Sequence, residues 1–535
     1  MTRVTESVAG WAGPYIEVGG APFPIVGAEV HNSSSSTVVA IAESFATVHL
    51  LGANTVLAPV AWDRLEPVEG SFDFTLIDAM VATARSLGLR LIPLWFGSWK
   101  NAASTYVPAW VKTNLDRFPR TVLADGRRIE HLTPFSAESR AADARAFAAL
   151  MCHIRDIDAA GTVIAVQVEN EVGLLGDTRD RSALADAAFA ALVPAAVVEA
   201  VAGDVGMPLH AAWADAGAVR HGTWGEVFPA GDRTDEAFMA AAFAAYVGEV
   251  AAVGAAQHQV PLFVNAWLDA DSVLDGPVAV AGGKRPGDYP SGGPVMPVAA
   301  IWEALAPALD VLAVDLYVDD AEPAFRAYGS RRGRLFVPEL RADTRGIAQM
   351  FSAMGTHRAL GVSPFGVDSL DPEDKESALL RDAYRLLGAA AELIRRRPDA
   401  RVHGFALDGM APSTELVIGD VVVTVHTAGD HAPIVTGYPA YGIAIEDGSD
   451  AVYLLGRGFW ITFSSATGQS VSLVSATAYD FDEGMFTVSR ELNGDETANG
   501  TLIPFPLAGS PLLSSRVIPT RVPDTGIVRL RPYVF

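Results

Sequence analysis

Cysteine is almost missing from this chain. Cys152 is the only one in 535 residues, which excludes an intrachain disulfide framework and a thiolate metal cluster. It stands in a long helical pattern and reads as a small core residue. The eleven histidines show neither HxH nor HExxH spacing, so catalytic zinc finds no ligand set. A GxSxG nucleophile elbow is missing, as is a glycine-rich phosphate loop after the first apolar run. Positive charge is scarce as well. There are 39 basic against 63 acidic groups, a formal charge of -24, which argues against nucleic acid or an anionic membrane as partner and favours a neutral or cationic one. No uncharged apolar run of membrane-spanning length stands out, and residues 1–10 lack the basic-then-apolar pattern of a leader. The expectation is a soluble chain without a signal peptide, its compartment left open. Tandem repeats and coiled-coil heptads are not seen.

Hydrophobic residues make up 50% of the chain, enough for a large core, and the length suggests about two to four domains unless an α/β barrel takes a long stretch as one unit. The stretch 162–173, TVIAVQVENEVG, is the most informative. Its apolar, β-branched first half fits a strand buried on both faces, expected over 162–168. It breaks abruptly into Gln167, Glu169, Asn170 and Glu171, the pattern expected where a barrel strand opens onto an active-site rim.

Seven more short apolar runs share this form: 24–30, 55–60, 89–95, 262–266, 311–314, 335–339 and 360–365. Helical patterns alternate with them over about 37–51, 76–87, 138–158, 298–305, 344–356 and 375–397, with a longer helical section between 181 and 258. Serines 33–36 can cap the first helix. The basic run Arg331, Arg332 and Arg334 reads as the solvated bottom of a barrel. Eight such strands predict a (β/α)8 TIM barrel, class α/β. A doubly wound open sheet fits less well, because polar or aromatic residues recur at nearly every strand end. From about residue 398 helical periodicity stops and short β-rich runs separated by turns take over. This predicts a catalytic barrel with an N-terminal lead-in over 1–397 and an all-β, sandwich-like domain over 398–535, with Phe459 and Trp460 in its core.

Glu171 and Glu339 end the fourth and seventh strands and are expected to face one pocket. Glycoside hydrolysis needs such a pair: one carboxylic acid protonates the leaving oxygen, and one carboxylate attacks the anomeric carbon or activates water. Asn170 can donate to a sugar 2-hydroxyl, and Tyr317 can hydrogen-bond Glu339 and keep it ionised. Trp62, Trp95, Trp99 and Trp267 lie at strand ends, where flat faces could pack against a pyranose. Glu29, His31, Asn32, Asp63, Asn101 and Asn265 are candidates for binding hydroxyls, with Glu29, His31 and Asn101 foremost. A carbohydrate lyase and a non-catalytic carbohydrate-binding barrel remain as competing readings.

Residues 167–173, QVENEVG, resemble the acid/base segment of family 35 β-galactosidases, usually QVENEYG. Residues 27–31, GAEVH, resemble the GEIH segment of that family. Residues 62–74, WDRLEPVEGSFDF, resemble the W-x-x-x-E-P-x-x-G-x-F-x-F segment shared by families 35 and 42. Residues 336–339, FVPE, stand where the clan carries its nucleophile. The resemblance covers about residues 20–400. It implies a retaining double displacement on terminal β-D-galactosyl groups, with Glu171 as acid/base and Glu339 as nucleophile. It further implies no metal or organic cofactor and a β-linked oligosaccharide or galactoside as partner; a homo-oligomer is admitted. Two departures bear on the sugar. Val172 replaces the usual tyrosine, and residues 97–101, GSWKN, replace the acidic AEWE segment that contacts galactose. Another β-glycoside, such as a glucoside or fucoside, or an α-L-arabinoside stays open.

Overall fold

A computed structural model describes residues 9–271, 273–275, 278–375, 377–407, 412–427, 439–465, 467–507 and 524–535. Residues 1–8, read above for a leader pattern, lie outside this part. Eight parallel strands close into a barrel in chain order. They are β1 (Ile25–Glu29), β2 (Thr55–Ala61), β3 (Arg90–Lys100), β4 (Val166–Asn170), β5 (Leu262–Trp267), β6 (Val311–Leu316), β7 (Phe336–Leu340) and β8 (Gly361–Pro364). Each is followed by helical structure. The principal helices are α1 (Val38–Leu51), α2 (Thr75–Ser86), α3 (Ala137–Ile157), α4 (Asp232–Gln257), α5 (Ala299–Leu305), α6 (Glu322–Ser330), α7 (Thr344–Gly355) and α8 (Ala378–Arg396).

Strand alternation divides the apolar residues between two layers. Ile25, Leu57, Ile92, Leu94, Phe263, Val311, Ala313 and Phe336 fill the barrel interior. Their neighbours Val26, Val56, Leu91, Val264, Leu312 and Val337 join the layer between strands and helices. Three details differ from the sequence reading. The fourth strand is Val166–Asn170 rather than 162–168, and Val163 makes only an isolated bridge to Leu91. The serines do not cap α1. Thr37 does, accepting from the Ala40 N–H at 3.1 Å. The basic run is paired rather than solvated: Arg331 reaches Asp204 and Glu303 at 2.8 and 3.2 Å, and Arg334 lies 3.9 Å over the Trp11 ring.

α4 is 26 residues long and, by length and composition alone, apolar enough to cross a membrane. Here it is a core helix. It packs along α3, with Phe238, Met239, Phe243, Tyr246 and Val250 buried.

Beyond the barrel, two antiparallel sheets face each other. The six-stranded sheet runs in the order Val402–Leu407, Ala440–Glu446, Val452–Arg457, Ile527–Val534, Val471–Asp482, Met485–Glu491. The four-stranded one runs Ser413–Ile418, Val421–His426, Phe459–Ser465, Leu502–Phe505. Val423, Val425, Leu454, Ile461, Ile503 and Leu530 are among the residues buried between them. Phe459 and Trp460 are buried, as expected. The other face of the larger sheet gives Tyr441, Ile443, Ile445, Leu455 and Ile527 to the barrel's own outer core. Gly355 of α7 lies so close to Gly404 that a Cβ would come within 2.3 Å of its Cα, so only glycine allows this approach.

A buried ion pair fastens the same seam. Arg457 Nε and Nη2 donate to the Asp382 carboxylate of α8 at 2.7 and 2.9 Å, and the arginine side chain is 4% exposed. Removing one member of a buried pair strands the other. Asp382→Ala is therefore expected to lower unfolding free energy by about 3–5 kcal/mol in urea titrations, with part of the loss recovered when Arg457→Met is added.

Candidate active site

The carboxyl ends of the strands converge on an acidic pocket, and the strands that build it are irregular. The β3–β4 register slips between Trp95 and Lys100, and the β7–β8 register slips between Val337 and Leu340. Such bulges re-aim side chains at the rims of barrels. In β4, Val168 packs outward into the helix layer, so alternation would turn Glu169 inward. Instead Glu169 has φ 62° and its side chain also goes outward, while Glu171 has φ 45°. Left-handed backbone at two non-glycine residues is strain held by its surroundings.

The anchor of that strain is visible. The Glu169 carboxyl accepts the Ser98 and Trp99 N–H groups at 3.1 and 2.8 Å and hydrogen-bonds Asp143 of α3. Asp143 in turn takes the Trp95 indole N–H at 2.9 Å and the Ser98 hydroxyl at 2.6 Å. Gly97 makes this possible, because a Cβ there would lie 2.6 Å from Glu169 and 2.8 Å from Asp143. Burial, then the neighbouring Asp143 charge, push Glu169 well above the usual carboxylate range. A hairpin inserted after β3 supports the next loop: buried His131 bonds Thr121 and the Gly173 carbonyl, each at 2.9 Å. Burial holds its imidazole down at about 4, and it is neutral near pH 7.

Glu171 follows directly. Its N–H donates to Asn265 Oδ1 at 3.0 Å, and Asn265 Nδ2 donates to Asp315 Oδ2 at 2.6 Å. The ends of β4, β5 and β6 are thereby tied together. Burial raises the Glu171 carboxyl to about 7, and the Glu339 charge adds to this. Lys100 and a hydrogen bond with Asp315 pull the other way. Glu339 pairs in register with Asp315 across β6 and β7, and its Oε1 accepts the Tyr317 hydroxyl. Its Oε2 is buried without a partner, as are Glu29 Oε1, Asp315 Oδ1 and both polar atoms of the Asn170 amide. Buried polar atoms are nearly always paired, so this group of open donors and acceptors marks where a polar ligand would sit. Glu29 and Asp315 are both pushed well up, first by burial and then by the Glu339 charge.

Of the residues expected from sequence, Glu171, Glu339, Asn170, Tyr317, Glu29 and Asn265 come together here. Others do not. Trp62, Trp95 and Trp99 are wholly buried and offer no open face. Trp95 lies against Trp62 and Phe147, and Trp99 against His131, Phe243 and Tyr246. They form the floor beneath the site rather than platforms for a sugar. Trp267 alone of the four is half-buried, its indole N–H on the Gly282 carbonyl at 3.3 Å. Asn101 is exposed at the tip of the turn that closes between Lys100 and Ala103. His31 ties the first strand end to the last: its N–H donates to Asp368 at 3.1 Å and its Nε2 lies 2.8 Å from the Ser369 hydroxyl. Asn32 and Asp63 line a cleft of about 260 Å³ with Arg64 and Tyr106, and none of the acids above lines it. Sequence reasoning missed Lys100 and Asp315 as members of the site. Their signals were there, Asp315 at the end of the sixth strand and Lys100 inside the departing segment 97–101.

The Glu169 anchor can be tested by itself. Glu169→Ala removes the acceptor of the buried Trp99 N–H and should cost about 1–3 kcal/mol in chemical denaturation, whereas Glu169→Gln, which keeps an oxygen there, should retain most of the stability.

Residues 16–243 match the family model described as glycosyl hydrolases family 35, and residues 380–504 match a domain of unknown function, DUF5597. No curated protein matches the sequence. Among solved structures, a β-galactosidase from the psychrophilic Marinomonas ef1 aligns at 15% identity and TM-score 0.46, covering 69% of this chain and 60% of that one. A β-galactosidase from the Antarctic haloarchaeon Halorubrum lacusprofundi gives 15%, 0.46, 69% and 58% in the same order. The β-amylase catalytic domain from Paenibacillus polymyxa gives 10%, 0.44, 66% and 95%. The chain thus spans about 60% of the length of the β-galactosidases it aligns with. Residues 16–243, which include β1 to β4 and the QVENEVG segment, are thus the part of the chain that is similar to the glycosyl hydrolases of family 35.

Proposed function

We propose that this protein is a retaining, exo-acting β-glycosidase, with Glu171 as acid/base and Glu339 as nucleophile. The observation that carries the reading is the pairing of two strand-end carboxyls with opposite surroundings. Glu171 is buried and held near 7, so at neutral pH a large share of it carries a proton to give. Glu339 takes a hydrogen bond from Tyr317 on one oxygen and presents the other without a partner. In the first step Glu171 protonates the glycosidic oxygen while Glu339 Oε2 attacks the anomeric carbon. In the second step Glu171, now a base, takes a proton from water as that water displaces Glu339. Asn170, with its amide unpaired, would bond the sugar 2-hydroxyl, a contact that strengthens as the ring gains oxocarbenium character.

Terminal β-D-galactosyl groups are the first substrate, since the family 35 match and the motif resemblance both point there. A second sugar is favoured by one observation: residues 97–101 bring a lysine to the pocket where family members carry an acidic segment.

Aryl β-galactoside, β-glucoside, β-fucoside and α-arabinoside substrates decide between them. Activity on the galactoside supports the first, and activity confined to another glycoside moves the substrate and keeps the mechanism. Glu339→Ala should abolish turnover and recover it with azide, with the released anomer followed by proton NMR. Full activity in that variant would remove Glu339 from the mechanism. Glu171→Ala should lose about 10²–10⁴-fold on poor leaving groups.

The pH dependence has a definite sign. Glu171 must be protonated for the first step, so kcat/KM should fall as pH rises through about 7. A limb that stays flat to pH 9 would contradict the assignment of the acid.

A further inference from the structure

We propose that Lys100 is the counter-ion of the acidic pocket, a positioning residue whose ammonium determines which of the surrounding carboxyls carries charge and so sets the pH window of the reaction. This rests on the glycosidase reading above and adds to it a residue outside the catalytic pair.

The geometry comes first. β3 overruns the barrel rim through its register slip, and Lys100 stands opposite Asn170 of β4. Its main chain is locked by two reciprocal hydrogen bonds with Ala103, at 2.9 and 3.0 Å. The residue is 6% exposed. Its ammonium is acted on by the charges of the surrounding carboxyls rather than through a hydrogen bond to one of them. The Phe96 ring of its own strand lies 5.1 Å from Nζ, a favourable face for a cation.

The charges around it are all of one sign. Glu29 faces it from β1, Glu171 from the end of β4, Asp315 from β6 and Glu339 from β7. A buried lysine in apolar surroundings sheds its proton. Here burial does pull Lys100 down, but the four acids, Glu339 first, outweigh it and raise it above its ordinary value. The same cation pulls Glu29 and Glu171 back from the upward push of burial. A positive charge facing four acids offsets part of the upward push that burial and mutual repulsion exert on them. Lys100 belongs to no single ion pair. It acts on the group through the low-dielectric space between them.

The test is the pH profile of kcat/KM for wild type, Lys100→Met and Lys100→Arg, together with carbon-13 NMR of protein labelled at the glutamate carboxyl carbon, assigned with Glu171→Gln. Losing the cation should move the alkaline limb and the Glu171 resonance upward together by about one pH unit. Turnover at neutral pH should fall about tenfold or more, since the nucleophile has lost its counter-charge. Lys100→Arg should leave limb and resonance within a few tenths of wild type. An unmoved Glu171 titration in Lys100→Met overturns the proposal, and so does a change in KM alone. The NMR titration does not need turnover: if wild type hydrolyses no glycoside, the functional reading fails while the shift of the resonance still decides the role of Lys100. Should Lys100→Met not fold, Lys100→Gln gives the same reading.

Discussion

Carboxyl groups are costly to bury, and this protein buries several at one end of a closed barrel. Glu29, Glu171, Asp315 and Glu339 are all less than a tenth exposed and share one cation. Taken out of water, carboxyls in such numbers cannot all be charged. Much of the local architecture serves to make the arrangement tolerable. Asn265 bridges Glu171 and Asp315, Tyr317 holds one oxygen of Glu339, and Lys100 supplies a positive charge that all four acids act on. Glu339 Oε2, Glu29 Oε1, Asp315 Oδ1 and the Asn170 amide are left without partners.

Beneath this layer lies a second carboxyl pair, Glu169 and Asp143, both wholly buried. It draws the end of β3 against the end of β4 through the Ser98 and Trp99 N–H groups and connects both to α3. The positive φ at Glu169 belongs to this arrangement. It sends one glutamate of the Glu-Asn-Glu sequence outward as an anchor and leaves Asn170 and Glu171 for the pocket. Two identical side chains two residues apart thus have separate duties, assigned by the backbone.

Much of this was legible in the sequence, because the main signals are local. Eight apolar runs ending in polar residues read correctly as barrel strands, and Glu171, Glu339 and Tyr317 followed from their positions at strand ends. What could not be read was the result of irregularity. Period-two alternation has no means of foreseeing the slips in β3 and β7 or the left-handed residues of β4, so the fourth strand was expected to stop at 168. The tryptophans misled for a related reason. A strand-end position says nothing about which way an indole turns, and Trp95 and Trp99 turn toward α3 and α4. The β-rich texture after residue 398 was plain, but its packing against α7 and α8 joins residues far apart in the chain, such as Asp382 and Arg457.

The apolar composition of α4 has a consequence for biosynthesis. A 26-residue helix of this kind, met alone, would expose a long apolar surface open to association with another exposed apolar stretch. Its principal partner, α3, comes earlier in the chain. A polypeptide made from its N-terminus therefore has the docking surface at hand before the hazardous segment emerges. The order of these two helices keeps the interval of exposure short, and a rearranged chain that placed α4 first would lose that protection while keeping every contact of the finished fold.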